Sequence, residues 1–124
     1  MTPSARLAAA IALLEGIEAA PGRPADAVAN DYFRGRRYIG AGDRRAVGER
    51  VWAVLRARRR LGWWLGYAQL PQTPRLLVAA SLLLEGASVS DLAGAFSGGQ
   101  YAPPALARPR PPRRRSASPR SPPT

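Results

Sequence analysis

The stretch RGRRYIGAGDRRAVGERVWAVLRARRRLGWW, residues 34–64, decides the fold, because it joins a basic loop to one long helical pattern. Gly35 is expected to end the helix before it, and Asp43 stands where a helix N-cap is expected. From Arg44 onward, apolar residues recur at spacings of three and four. These positions are Val47, Val51, Val54 and Leu55. The spacing predicts an amphipathic helix that buries one apolar stripe.

The composition indicates one basic domain with an anionic partner. The chain has 124 residues and a net charge of +11, and all 19 basic residues are arginine. Arginine forks over phosphate and stacks on bases, so a nucleic acid is the natural partner. The lack of lysine, together with much alanine, glycine and proline, is also typical of GC-rich coding. The positive excess is therefore informative, whereas the choice of arginine over lysine is not.

Arginine occupies the faces of the predicted helix that the apolar stripe leaves free. Glu49 lies four residues after Arg45, so these two side chains are expected to form an ion pair. This leaves Arg44, Arg56, Arg59 and Arg60 without a local carboxylate as an ion-pair partner. The candidate nucleic-acid-binding residues are Arg36, Arg37, Arg44, Arg45, Arg56, Arg59 and Arg60. The alternative is a solvated charged face with no ligand.

The residue inventory excludes several classes of site. The chain contains no cysteine and no histidine, so thiolate nucleophiles, disulfides, zinc sites and histidine-based triads are excluded. We predict no catalytic residue, no cofactor and no metal. The apolar runs are much shorter than the roughly 20 residues that span a bilayer. Acidic Glu15 and Glu18 continue the first helical pattern where a signal-peptide cleavage site would belong, so a cytoplasmic protein without a membrane partner is expected.

Helix signals flank the central stretch on both sides. Thr2 followed by Pro3 predicts a helix start, and a second helix is expected from Pro24 to Gly35. Further starts are predicted at Pro74 and at Ser88, the latter with Asp91 in a capping-box spacing, and Gly86 separates these two helices. The Pro74 helix is the most apolar and is expected to be central and buried. No alternating strand pattern occurs, so we predict an all-α bundle of about six helices.

Two adjacent tryptophans follow the central helix. The helical register is expected to break between Arg58 and Gly62, which places Trp63 and Trp64 on a separate short helix. Successive helical residues point about 100° apart, so one of the two indoles should be partly exposed. The exposed indole could stack on a base beside the arginines, or it could simply pack with one wet edge.

The composition changes abruptly after residue 102. Residues 103–124 contain eight prolines, six arginines and no acidic residue, which predicts a disordered basic tail. Residues 1–102 hold the other 13 arginines and all 8 acidic residues, which leaves this helical domain with a net charge of +5. Two origins of the tail fit its composition. It is either a selected arm that lies along RNA or the product of a frame change in GC-rich DNA.

Residues 3–102 resemble the N-terminal helical domain of the bacterial Sun/Fmu (RsmB-like) family of RNA cytosine methyltransferases. Three segments carry the resemblance: the Asp43-Arg44-Arg45 start, the segment from Val51 to Leu55 with Arg58 after it, and the sequence GGQYAP at residues 98–103. The resemblance implies a NusB-like fold that helps to hold structured RNA, with ribosomal RNA as the expected ligand. In that family a second domain binds S-adenosylmethionine and methylates carbon 5 of cytosine.

The chain departs from this family in its chemistry. Methylation of carbon 5 needs a thiolate that adds to carbon 6 and a glycine-rich turn that holds the cofactor, and the sequence has neither. The sequence therefore predicts an RNA-binding accessory domain without its catalytic domain, truncated or frameshifted, that is not an enzyme on its own. The alternative is a protein-interaction module that docks on a separate methyltransferase catalytic domain or another partner.

The helical body should fold without the tail, because the apolar periodicity ends near Phe96 and the tail has nothing to bury. A chain that ends at Pro103 is expected to keep its helical circular dichroism and a cooperative melt. Loss of either property would show that the predicted domain boundary at residue 102 is wrong.

Overall fold

The computed structural model describes residues 1–96, which form six α-helices and no strand. The helices are α1 (Pro3–Ala19), α2 (Ala25–Arg34), α3 (Ala41–Arg56), α4 (Arg58–Tyr67), α5 (Pro74–Leu84) and α6 (Val89–Ala95). The all-α prediction is thus confirmed. The predicted tail at residues 103–124 and the GGQYAP segment lie outside the described residues.

Helix α1 lies at the centre of the bundle, a position that it shares with α5. Thr2 caps it, since the Thr2 hydroxyl accepts a hydrogen bond from the Ala5 amide at 3.1 Å, and Pro3 occupies the first turn as predicted. The helix packs against α2, α3, α5 and α6. Its buried residues are Ala5, Ala9, Ala10, Ile11, Leu13 and Leu14. They cover more than one face, as a helix surrounded by neighbours requires.

Helix α5 begins and ends where the sequence predicts. The Thr73 hydroxyl accepts from the Leu76 amide at 3.3 Å, and Pro74 follows it. Leu77 is completely buried, and α5 packs against α1, α3, α4 and α6. Gly86 then turns the chain at a φ of +99°, a left-handed conformation that glycine adopts without strain. The predicted capping box between Ser88 and Asp91 starts α6.

The start of α3 differs from the prediction. The helix begins at Ala41 with Gly40 as its N-cap, so the predicted N-cap at Asp43 is wrong. Asp43 lies in the first turn, where its carboxylate pairs with Arg6 of α1 at 2.8 Å instead of capping the helix. The predicted stripe is confirmed: Val47, Val51 and Val54 are buried, and the half-buried Leu55 packs against the same core.

The break after α3 occurs at Ala57, one residue before the predicted interval of residues 58–62. The backbone stays hydrogen-bonded across it, because the Leu61 amide donates to the Ala57 carbonyl at 2.8 Å. The change of direction lets α4 pack against α5 and buries Leu61 and Leu65. At Gly62 an added Cβ would lie 2.7 Å from the Gln72 side chain, so a glycine allows this close approach.

Helix α4 presents its two tryptophans as predicted. Trp63 is half-buried and stacks on Tyr67, with ring centroids 5.6 Å apart and planes 7° from parallel. Trp64 keeps 39% of its surface exposed and contacts Trp63 edge to face at 4.8 Å. One indole of the pair is therefore partly exposed, and its ring is held by aromatic neighbours.

The described helices are short. Helix α1 has 17 residues, which at 1.5 Å per residue gives a length of about 25 Å. Across residues 1–96, no helix combines the length and the apolar character needed to cross a membrane.

Substituting Leu77 by alanine should destabilise the bundle by about 2–5 kcal/mol, because the side chain is fully buried and its removal leaves a cavity. Denaturant unfolding followed by circular dichroism measures the loss. The matched control is Leu84→Ala in the same helix, where 40% of the side chain is exposed and a much smaller loss is expected. Equal losses at the two positions would contradict the described orientation of α5.

Candidate nucleic-acid interface

Five arginines of residues 1–96 form ion pairs with carboxylates. The pairs are Arg6–Asp43 at 2.8 Å, Arg23–Asp31 at 2.7 Å, Arg34–Asp31 at 3.3 Å, Arg58–Glu18 at 3.6 Å, and Arg50–Glu85. The hydrogen bond from Arg23 and its charge lower the pKa of the Asp31 carboxyl. Three of the pairs join different segments of the bundle, because Arg6, Arg50 and Arg58 each reach a carboxylate at least 35 residues away in sequence. These five arginines are therefore engaged within the fold.

The seven arginines that the sequence predicts as RNA-binding form no ion pair with any carboxylate of residues 1–96. They lie in the loop before α3, at the two ends of α3, and in the first turn of α4. In chain order they are Arg36, Arg37, Arg44, Arg45, Arg56, Arg59 and Arg60. All are exposed except Arg36, which is half-buried. The fold thus separates engaged arginines from arginines whose charge is uncompensated locally.

Helix geometry places two of the seven on one face of α3. Arg45 and Arg56 are eleven residues apart, which is close to three full turns and about 16 Å along the axis. Trp52 lies seven residues after Arg45, again close to whole turns, so it falls between them on the same face. This face points away from the buried Val47, Val51 and Val54 stripe. Arg45, Trp52 and Arg56 therefore form an exposed row on this face, with the indole between the two guanidinium groups.

Two of the seven arginines are held in place by uncharged groups. The Arg44 Nε donates to the Ile39 carbonyl at 3.0 Å, and its guanidinium carbon lies 5.9 Å from the Phe33 ring centroid. Arg36 donates to the Tyr32 carbonyl at 3.2 Å and lies 3.9 Å over the Tyr32 ring. Burial raises the pKa of the Tyr32 phenol, so that ring stays neutral beside the cation. Both guanidinium groups are thus positioned while keeping their full charge.

Asp43 connects the N-terminal end of α3, which carries Arg44 and Arg45, to α1. Its carboxylate accepts from the Arg6 Nε at 2.8 Å and from the Met1 amino group at 3.3 Å. The hydrogen bond from Arg6 is the main reason why the pKa of Asp43 is lowered from 3.8. A carboxylate in the first turn is also favoured by the helix dipole. Asp43 therefore anchors the first turn of α3, and Arg44 and Arg45 follow it directly in sequence.

A groove of about 360 Å³ separates α2 from α3. From α2 it is lined by Asp26, Ala29, Asn30 and Phe33, and from α3 by Arg44, Arg45, Gly48, Glu49 and Trp52. The predicted ion pair between Arg45 and Glu49 does not form, and both side chains border the groove instead. The groove therefore combines two aromatic rings with two cations, two carboxylates and one amide.

Trp52, Phe33 and Asn30 line this groove although none of them is among the predicted site residues, and Trp52 is the most exposed aromatic residue of the three. Its side chain is 38% exposed, although it is one of the largest side chains of α3. A signal for it exists in the sequence, because Trp52 lies outside the valine stripe and at helical spacing from Arg45 and Arg56. Phe33 and Asn30 give no comparable signal, since their place in the groove follows only from the packing of α2 beside α3.

Comparisons of the chain with protein-family models, with curated proteins and with solved structures gave no match. Residues 1–96 contain no group of three acidic side chains placed to hold a metal ion.

Replacing Asp43 by asparagine should lower the melting temperature at neutral pH, since the ionised carboxylate holds Arg6 and the amino terminus. The folded-state pKa is lowered, so this stabilisation is present above pH 3.8 and is lost as the pH falls through the folded-state value. Melts followed by circular dichroism across this range should show the two proteins converging at acidic pH.

The control is the Arg6→Met variant, in which the main partner of Asp43 is removed. In that background the Asp43→Asn substitution should have a smaller effect, as expected of two groups that interact directly. A constant difference in melting temperature at all pH values would show that the carboxylate charge is not the stabilising element.

Proposed function

We propose that this chain is a non-enzymatic RNA-binding module that neutralises phosphates with the seven arginines lacking a carboxylate partner. The observation that carries the proposal is the division of arginines between engaged and uncompensated groups. An arginine that already holds a carboxylate has its charge partly compensated and fewer donors left for phosphate. An exposed arginine without one gives up only hydration, so phosphate contact there is the more favourable.

The spacing of these charges fits an extended polyanion. Arg45 and Arg56 lie about 16 Å apart on one face of α3, and a nucleic-acid strand carries a phosphate about every 3.4 Å along a duplex axis. The face therefore spans several phosphates. Arg59 and Arg60 continue the basic surface into α4, while Arg36 and Arg37 continue it into the loop before α3. A ligand with a single phosphate would leave most of this surface unused.

The resemblance to the Sun/Fmu N-terminal domain directs the proposal to structured RNA, with ribosomal RNA as the expected ligand. It also supports a role as the accessory domain of an RNA cytosine methyltransferase, in which a separate catalytic domain supplies the cofactor and the nucleophile. Within this chain the proposed work is binding, since the sequence offers neither the thiolate nor the glycine-rich turn that the reaction needs.

A protein-interaction module is the second candidate, and one apolar patch favours it. Leu83 and Leu84 at the end of α5 are 44% and 40% exposed, and Val89 at the start of α6 is 76% exposed. These residues flank the Gly86 turn, and arginine is absent from residues 76–96. An apolar patch of this kind suits a protein partner better than RNA. The two functions use different surfaces, so each can be tested without disturbing the other.

Replacing Arg45 and Arg56 by glutamine in the full chain should weaken RNA binding and make it less dependent on salt. Each phosphate contact contributes roughly 0.7–0.9 to the slope of log affinity against log salt, so the slope should fall by about 1.5. The measurement is fluorescence anisotropy of a labelled structured RNA over a salt series.

The matched control replaces Arg23 and Arg34, which both pair with Asp31, by glutamine. It changes the net charge by the same amount, so a purely general attraction would affect both double variants equally. The proposal expects a clearly smaller change in the control. Unchanged RNA binding in the Arg45 and Arg56 variant would favour the protein-interaction module, to be tested next with Val89→Asp.

A further inference from the structure

We propose that the groove between α2 and α3 holds one unpaired nucleobase of the bound RNA, and that it favours a base carrying an amino group. This inference rests on the proposed RNA-binding function and assigns a specific role to a surface beside the phosphate-binding arginines. Four features of the groove carry it: its exposed indole, its positioned cation, its acidic and amide lining, and its size.

The aromatic lining offers a stacking surface. Trp52 exposes 38% of its side chain at the groove, and it makes no ring contact with another aromatic residue of the described part of the chain. Phe33 lines the same groove from α2 and is half-buried. Unpaired bases bind to proteins largely by stacking on such rings, whereas a base within a duplex is already stacked. The exposed ring therefore favours a single-stranded or looped segment.

The positioned cation lies where the backbone of such a nucleotide would pass. Arg44 is anchored through its Nε to the Ile39 carbonyl, so its two terminal nitrogens keep their donors for a ligand. Arg45 borders the groove beside it and is exposed. Together they provide guanidinium groups for one phosphate next to the aromatic lining.

The acidic lining indicates which part of the nucleotide enters. Asp26 and Glu49 line the groove, and their carboxylates repel phosphate but accept hydrogen bonds from N–H groups. The base is thus expected inside the groove, with the sugar and phosphate toward the arginines. An amino group on the base supplies the donors that carboxylates require, and Asn30 adds an amide that can donate or accept.

The size of the groove fits one nucleotide. Its volume of about 360 Å³ is at the lower end of the roughly 300–1,000 Å³ typical of small-ligand sites. Gly48 contributes to this space, because a Cβ added there would meet nothing within 4 Å. A larger side chain at position 48 would occupy the groove without colliding with the backbone, which gives a direct way to block it.

The test measures binding of a labelled short oligoadenylate to the full chain by anisotropy. Its matched ligand is the same oligomer built from purine riboside, which lacks the amino group of adenine. Gly48→Leu, which fills the groove, and Trp52→Ala, which removes the stacking surface, should each weaken oligoadenylate binding by roughly fivefold to a hundredfold. The purine oligomer should bind wild type less well than oligoadenylate.

The controls are Gly94→Leu, at another helical glycine with open space around its Cβ, and Trp64→Ala, at an indole of equal exposure. Both should bind oligoadenylate as wild type does, and circular dichroism should show all four variants folded.

If Gly48→Leu and Trp52→Ala bind like wild type while the Arg45 and Arg56 variant does not, the groove inference is wrong and the proposed function stands. If wild type binds no RNA at all, both fail. Loss only in Trp64→Ala would place the stacking surface on α4 and overturn the assignment to α2 and α3.

Discussion

The burial of Val47, Val51 and Val54 is the interaction on which the rest of the surface depends. Helix α3 packs this stripe against α1 and α5, and two of the three valines have no exposed surface. A helix that fixes one face also fixes the opposite one, since side chains rotate by about 100° per residue. Arg45, Trp52 and Arg56 are outside because the valines are inside. The exposed line of charges and indole is thus a consequence of core packing.

The distribution of carboxylates determines which arginines remain available. Arginines outnumber acidic residues in residues 1–96, and the fold decides which arginines reach a carboxylate. Asp43, Glu85 and Glu18 are drawn into contacts between distant segments, with Arg6, Arg50 and Arg58 respectively. Each of these partly exposed pairs contributes little to stability by itself. Their main effect is to leave the charge of α3 and of the first turn of α4 uncompensated.

The sequence predicted helix starts correctly where the N-cap side chain accepts a hydrogen bond from a nearby backbone N–H. Thr2, Thr73 and Ser88 all accept a backbone N–H three residues ahead, an interaction that depends only on nearby sequence. Asp43 is likewise a residue type that often caps helices, but its carboxylate binds Arg6, 37 residues away, and no local rule could reveal that contact. The N-cap prediction was wrong there: Gly40 is the N-cap of α3, and the Asp43 carboxylate forms a long-range ion pair with Arg6.

The candidate site was predictable only in part, for a similar reason. The seven arginines follow from composition and position in one segment. The lack of ion pairs at Arg56, Arg59 and Arg60 agrees with the absence of nearby carboxylates in sequence, whereas the pair predicted between Arg45 and Glu49 does not form. The α2–α3 groove depends on where two helices lie relative to each other. Periodicity can mark Trp52 as outside the valine stripe, but it cannot show that Phe33 and Asn30 border the same space.

The two exposed tryptophans show why surroundings matter more than exposure. Trp52 and Trp64 expose nearly the same fraction of their side chains, 38% and 39%. Trp64 contacts Trp63 and Tyr67 edge to face, so much of its ring is already engaged by aromatic neighbours. Trp52 has no such ring contact in the described part of the chain and borders a groove with guanidinium groups at its edge. An indole left unstacked next to uncompensated cations has the most to gain from a planar, anionic ligand, and a nucleotide is both.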